Sequence, residues 1–241
     1  MKFNNLFSGI ATLAIIATSS SATANTQIIE FNEMNSAAYY GKANAVGQCT
    51  GFTTCYTETG AADYYIGTTE DVAAGPFTHL HRAGDGSSLQ HHADAAGIYG
   101  RRIDEGTFNL NSFDAIELAG DNTGIFNIIA FDSAYNSDIT GFGVDYTAAA
   151  GYLGQQQINS GAAGSTVNLN QSIFANIKAF AIFYDGYNYT PSDGTDWDIV
   201  VDNINVSAVS AVPVPAAAYL FGTGLIGLVS LGRKKAAQLT A

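Results

Sequence analysis

Four histidines lie within 14 residues of each other, at positions 79, 81, 91 and 92. Imidazole binds zinc and copper, and it changes its charge between about pH 5 and 8. Strand alternation would place His79 and His81 on one face, and His91, His92 or Asp94 could return as a third ligand. No H-E-x-x-H spacing accompanies them. The cluster therefore allows either a transition-metal site on His79 and His81 or a polar patch that hydrogen-bonds a ligand.

A second group of candidate residues surrounds the only tryptophan, Trp197. Asp196 and Asp198 flank it, and Tyr187 and Tyr189 precede it. Paired carboxylates beside aromatic rings suit glycoside hydrolysis. They suit a sugar-binding loop equally well, because rings stack on sugars and carboxylates accept hydrogen bonds from hydroxyl groups. A turn-rich acidic loop without a ligand is the third interpretation.

The residues between these groups indicate an all-β fold. Turn-forming residues recur every eight to twelve positions through residues 25–211, with aromatic and β-branched clusters between them, which is typical of a β-sandwich or barrel. We predict two short strands at 107–110 and 114–118 and a last strand at 197–206. The apolar phase shifts within that last strand, which predicts a bulge near Asp202 and Asn203.

The charge of the central domain excludes some partners. Residues 25–211 contain five basic residues and all 21 acidic ones, a formal net charge of −16. Such a domain repels phosphate backbones, so we predict that it does not bind nucleic acid. Calcium and neutral sugars suit it better.

Cys49 and Cys55 are the only cysteines, and five residues separate them. A redox motif would have two intervening residues, and a zinc site would need more ligands close by. In an oxidising compartment this spacing predicts a local disulfide that closes a loop.

The sequence patterns at both ends of the chain are typical of targeting signals. Residues 1–24 combine Lys2, an apolar stretch at 10–17 and a small-residue cleavage site at 22–24, which predicts a Sec signal peptide. The other end combines an apolar run at 216–232 with a basic cluster, and a run of 17 residues is at the short end of what spans a bilayer. The basic cluster predicts that residues 236–241 stay cytoplasmic and that the preceding chain crosses the inner membrane. The motif around this run consists of Val212, Pro213, Val214, Pro215, Arg233, Lys234 and Lys235.

This tail, residues 212–235, resembles the PEP-CTERM sorting signal of Gram-negative bacteria. The resemblance rests on a Val-Pro-x-Pro-Ala-Ala start, then an aromatic residue, here Tyr219, and a Leu-Phe-Gly-Thr-Gly-Leu continuation. Val214 stands where the eponymous motif has Glu, and Tyr219 where Trp is common. The resemblance implies export, processing near the proline motif by an exosortase-like protease, and release or attachment at the cell surface, often alongside exopolysaccharide production.

The central domain is similar to the jelly-roll β-sandwiches of secreted carbohydrate-binding-like proteins. Residues 97–114 and the final segment 197–206 carry that similarity. It implies that the last strand pairs with the first. It also implies a structural calcium between these strands, with Glu30 and Asp202 as the matching ligands.

These observations lead to one functional expectation and two alternatives. We expect a non-enzymatic, exported cell-surface or matrix protein that contacts polysaccharide in a biofilm-like matrix. The first alternative is a secreted polysaccharide-acting or metal-dependent hydrolase. The second is a calcium-stabilised structural surface protein without a ligand.

Overall fold

Alternating apolar and polar residues form β-strands through most of the central domain. A computed structural model of the chain describes residues 25–35, 38, 40–49, 55–69, 80–92, 97–118, 125–137, 139, 145–184 and 198–209. All of these belong to one compact unit, Ala24–Val209. The predicted signal peptide and the predicted sorting signal lie outside the described residues.

Eleven strands and one short α-helix occur in the described part of the chain. The strands are β1 (Thr26–Ile29), β2 (Tyr64–Thr68), β3 (Leu80–Arg82), β4 (Leu89–His92), β5 (Ile98–Arg102), β6 (Phe108–Leu118), β7 (Ile125–Phe131), β8 (Tyr152–Asn159), β9 (Ser165–Asn168), β10 (Ala179–Tyr184) and β11 (Asp198–Ala208). The helix, Gln171–Phe174, begins after Asn170, whose side chain accepts a hydrogen bond from Ser172 N. The predicted all-β fold is confirmed.

The strands form two antiparallel sheets. Sheet A has the order β3-β4-β11-β6-β9, and β1 also pairs with β11. Sheet B has the order β2-β5-β10-β7-β8. The first and last strands pair as expected, with Ile29 opposite Ile204. The two sheets make a β-sandwich, which confirms that prediction.

The core between the sheets is built from aromatic and branched side chains. Phe108 of sheet A is fully buried and meets the rings of Tyr64 and Phe180 of sheet B edge-on, at centroid distances of 5.2 and 6.3 Å. Gly100 lies under Phe180, where a Cβ atom would collide with the phenylalanine ring. The absence of a side chain at this position therefore allows β5 to pass beneath the ring.

A second hydrophobic core covers the outer face of sheet B. Along β10, Phe180 and Ile182 face the sandwich core, so Ala179 and Ala181 face outward. These small residues leave room for the rings of Tyr99 and Phe131, which stack from the neighbouring strands at 6.3 Å. Two loops, 41–49 and 132–137, cover the rings together with Ile139.

Paired amides join these two covering loops. Asn44 Nδ2 donates to the carbonyl of Asn136 at 2.8 Å, and Asn136 N donates to the carbonyl of Asn44 at 2.7 Å. Tyr99 Oη donates to the carbonyl of Ala134, which ties the second loop to β5. The loops therefore form a fixed layer on sheet B.

The predicted disulfide, Cys49–Cys55, is present at the rim of this layer. Arg101 of β5 lies beside it, with Nη2 3.7 Å from Cys49 Sγ. The guanidinium is buried between the rings of Tyr65 and Tyr135, 5.1 and 4.7 Å from their centroids. Its Nε donates to the carbonyl of Ala43 at 2.9 Å. The disulfide itself therefore packs beside a buried cation, as a structural bridge does.

Bulges account for one correct and one wrong strand prediction. The bulge expected near Asp202 is confirmed: the register shifts there, and Asn203 has a φ of 49°. The two strands predicted at 107–110 and 114–118 are instead one strand, β6. Asn111 is an extra residue relative to β11, so β6 continues through the break in its alternation.

Candidate functional site

The outer face of sheet A carries a row of small polar side chains. On β6, Leu110 is buried in the sandwich core, so Asn109 and Asn111 lie on the opposite face. On β11, Val206 is in the core, and Asn205 and Ser207 lie on the outer face. We call these four outward residues, Asn109, Asn111, Asn205 and Ser207, the asparagine ladder.

Hydrogen bonds fix the side chains of the asparagine ladder in place. Asn111 Nδ2 donates to Asn205 Oδ1 at 2.9 Å and to Ser207 Oγ at 3.3 Å. Asn109 Nδ2 also donates to Ser207 Oγ, and Asn109 Oδ1 accepts from Asn176 N at 2.8 Å. The row is therefore pre-ordered, which lowers the entropy cost of binding a ligand.

The asparagine ladder keeps hydrogen-bonding capacity on its outer side. Among the described residues, neither Asn111 Oδ1 nor Asn205 Nδ2 has a partner, and both side chains are partly exposed. One is an acceptor and the other offers two donors. Adjacent acceptors and donors on a flat face suit hydroxyl groups, which both donate and accept. The neighbouring exposed Ile28 of β1 adds an apolar contact.

Two aspartates lie on the same face beside the bulge. Asp202 of β11 is directly opposite Asp114 of β6. Asp114 accepts from Asn203 Nδ2 at 2.8 Å and from Thr166 Oγ1 at 2.6 Å, whereas Asp202 Oδ1 accepts from Asn203 N at 2.7 Å. The bulge residue Asn203 thus holds both carboxylates near each other.

Burial raises the pKa of Asp202 to about 6, although the hydrogen bond from Asn203 N opposes the rise. Repulsion from Asp114, Asp85 and Glu30 contributes a smaller part of this rise. The structure therefore brings Glu30 and Asp202, the two predicted calcium ligands, into one electronegative region. No sequence signal indicated that the charges of Asp114 and Asp85 also act on Asp202.

Buried Glu58 positions the chain around Glu30. Its carboxylate accepts hydrogen bonds from the backbone N–H groups of Glu30, Phe31 and Asn32 at 2.6, 3.2 and 3.2 Å. Phe31 takes a left-handed conformation, with a φ of 57°, to present these groups. The carboxylate of Glu30 itself is exposed and accepts from Asn32 Nδ2 at 2.9 Å.

Asp85 approaches the region from the turn between β3 and β4. Its carboxylate accepts from Ser87 N, Ser88 N and Ser88 Oγ. Partial burial acts to raise the pKa of Asp85, but these hydrogen bonds and the charge of Arg82 lower it below its usual range. Within the described residues, no three His, Cys, Asp or Glu side chains come close enough to hold a metal ion. The calcium site stays a prediction.

Only part of the histidine cluster can be located. His79 lies outside the described residues, and His81 of β3 donates from Nδ1 to the carbonyl of Arg82 at 2.8 Å. His91 and His92 lie on β4, a strand that the sequence did not predict. Its pairing with β11 sets His92 opposite Asp198 along the backbone. The topology thus joins two stretches that the sequence presents as separate candidates.

Of the acidic and aromatic residues around Trp197, only Asp198 belongs to the described part of the chain. Asp198 is the first residue of β11. Tyr187, Tyr189, Asp196 and Trp197 lie outside the described residues, as do the sorting-motif residues at 212–215 and 233–235. Among the described residues, no helix is long and apolar enough to cross a bilayer.

Comparison with known proteins supplies no family for this chain. No protein-family model matches it, and no curated protein is detectably similar to it. The function is therefore argued from the sequence signals and from the geometry of the outer face of sheet A.

Proposed function

We propose that this chain is an exported, non-enzymatic protein of a Gram-negative cell surface or extracellular matrix that contacts exopolysaccharide. The Sec machinery would export it, and an exosortase-like protease would sort it after a transient stay in the inner membrane. The mature domain would be a jelly-roll β-sandwich. In this proposal the contact surface for polysaccharide is the asparagine ladder of sheet A.

The main support for the polysaccharide contact is the pre-ordered pair formed by the acceptor of Asn111 and the donors of Asn205. Neutral sugars present many hydroxyl groups and no charge, so they approach an acidic domain without repulsion. These features favour extended contact with a polymer over capture of a single small molecule.

Two observations support export. The disulfide Cys49–Cys55 is a feature of oxidising compartments. The terminal segments carry the sequence features of a signal peptide and of a sorting tail. The test is the intact mass of the protein recovered from its native host. Export and sorting predict a chain that begins at Asn25 and ends near Pro213. A chain that still carries residues 220–241 would contradict sorting.

The polysaccharide contact is tested by retention on insoluble glycans. The full chain is incubated with chemically varied insoluble polysaccharides, and the bound fraction is measured before and after addition of soluble competitor. We expect retention on at least one neutral glycan and release by its oligosaccharides. Absence of retention on every glycan would leave only a structural role.

The electronegative region around Asp202 favours a second candidate function, a calcium-stabilised surface protein. Calcium takes six to eight oxygen ligands and prefers carboxylates. A bound cation would relieve the repulsion between Asp202 and Asp114, and it would favour the charged form of both. The charges of Glu30 and Asp85, which lie on other elements, also repel the Asp202 carboxylate.

Thermal unfolding with and without calcium tests this candidate. Ligand at 100 times its Kd stabilises by about 2.7 kcal/mol, so millimolar calcium should raise the Tm if the site binds it. Asp202→Asn should abolish the rise, whereas the exposed Asp145→Asn should keep it. An equal response of the two variants, or no response of the native chain, would contradict calcium binding at Asp202.

A further inference from the structure

One long segment at a lateral side of the sandwich contains no charged residue. Residues 146–177 contain no Asp, Glu, Lys or Arg. This segment includes β8 and β9, which are the terminal strands of sheet B and sheet A. The side chain of Gln156 in β8 donates to Asn168 O of β9 and accepts from Asn170 N. Both uncharged edge strands therefore lie on the same side of a domain whose formal net charge is −16.

The edge strand β2, at the opposite end of sheet B, is protected. Tyr56 exchanges two backbone hydrogen bonds with Ile66 of β2, at 2.8 and 2.9 Å. Thr68 N of β2 donates to the carbonyl of Gly41, and the carbonyl of Thr68 accepts from Ala43 N. The edge strand β3 of sheet A is covered similarly, because Leu80 pairs with Tyr40. Added bridges thus occupy backbone groups at the edges of β2 and β3.

The edge strand β8 lacks such protection in the part of the chain that the structure describes. It runs for eight residues, Tyr152–Asn159, and pairs only with β7. No backbone hydrogen bond from another described segment reaches residues 153–159. Natural proteins block open edges with charges, proline or bulges. The centre of β8 has none of these: it reads Gly154, Gln155, Gln156, Gln157 and Ile158, and its one register irregularity lies before Gly154.

We propose that β8 is a self-association edge, which pairs antiparallel with β8 of a second copy of this chain. Two copies of the domain formed by residues 25–211, each with a formal net charge of −16, repel each other on most approaches. The uncharged side is where they can meet without opposing charges. A two-fold axis normal to the sheets joins β8 to β8 and extends sheet B across both copies. The acidic residues near the start of β8, Asp132 and Asp145, then face the uncharged end of the partner strand.

The test is cysteine cross-linking in the full-length chain. Gln155 and Gln157 are opposite Ile129 and Asn127 of β7, on the outer side of sheet B, and are replaced one at a time by cysteine. A disulfide needs Cα atoms about 4.4 to 6.8 Å apart, a distance that only directly opposite residues reach. An equimolar mixture of Gln155→Cys and Gln157→Cys covers the register in which the axis passes through Gln156. The control is Val46→Cys, which is 78% exposed and lies far from β8 in the chain.

We expect a strong dimer band for one position or for the mixture, and at most a tenth of that yield for Val46→Cys. Equal yields at β8 and Val46 would indicate random collision or association through another segment, and would overturn the proposal. So would the absence of any β8 cross-link.

Gln155→Glu differs from the native residue only in charge, and it should weaken dimerisation at least about tenfold at low salt, with recovery at high salt. An unchanged dimer would also overturn the proposal. None of these results depends on glycan binding.

Discussion

The outer faces of the two sheets differ in what covers them. Sheet B hides its face under loops, a disulfide and the stacked rings of Tyr99 and Phe131, whereas sheet A presents the asparagine ladder and a group of carboxylates. The difference begins with side-chain size: Ala179 and Ala181 leave space on sheet B for rings, and Asn205 and Ser207 line sheet A with short hydrogen-bonding groups. A covered face contributes stability, and a polar, pre-ordered face is available for contact with a ligand.

The largest expected effect is the loss of an aromatic ring from the covered face. Phe131 is fully buried, and its ring stacks on Tyr99. Phe131→Ala should lower the free energy of unfolding by about 3–5 kcal/mol, because it leaves a cavity beneath the loops. Urea denaturation measures the change. Ile125→Ala, at a 40% exposed position of the same strand, is the control and should cost far less. Similar costs for both variants would show that the loops do not pack as a core.

The disulfide should have a smaller effect. Cys49→Ser combined with Cys55→Ser opens a loop of only a few residues, so the chain-entropy account predicts a loss of about 2 kcal/mol. The same denaturation experiment on the native chain with reductant is the matched comparison. Because the contact surface lies on the other sheet, glycan retention by the folded variant should be unchanged. A loss of retention without unfolding would connect the two faces and contradict their separation.

Asp202 should make the stability of the folded chain depend on pH. Its pKa is about 6 in the folded chain, against an ordinary value of 3.8. Below pH 4 both states hold the proton, whereas between pH 4 and 6 only the folded state keeps it. The stability from protonated Asp202 is therefore present at low pH and lost as the pH rises through 6.

With a chelator present, Asp202→Asn should raise the Tm by about 2–4 °C at pH 7.5 and change it little at pH 4. Thermal unfolding at both pH values measures this. Asp145→Asn, at an exposed turn, is the control and should show no gain at pH 7.5. A destabilised Asp202→Asn at pH 7.5 would contradict the raised pKa, because it would show that the folded chain favours the charged carboxylate.

The sequence predicted the features that depend on local pattern. The bulge at Asn203 followed from the shifted phase of Ile204 and Val206, and the disulfide followed from the spacing of Cys49 and Cys55. β4 was missed because its Leu89-Gln-His-His sequence has no β-branched residue. The meeting of Asp114 with Asp202 could not be predicted, because 88 residues separate them and only strand order sets their register. The short Phe-Asn-Leu-Asn alternation in β6 is the one local signal that could have indicated the asparagine ladder.

The most direct test of the contact surface compares matched variants of the two sheets for retention on the glycan that binds the native chain. Asn111→Ala with Asn205→Ala removes two amides from sheet A, and Gln155→Ala with Gln157→Ala removes two from the outer side of β8. We predict that the sheet A variant loses at least about tenfold in affinity, which corresponds to 1.4 kcal/mol, whereas the β8 variant binds like the native chain. Equal retention by both variants, with both folded, would contradict the assignment of polysaccharide contact to the asparagine ladder.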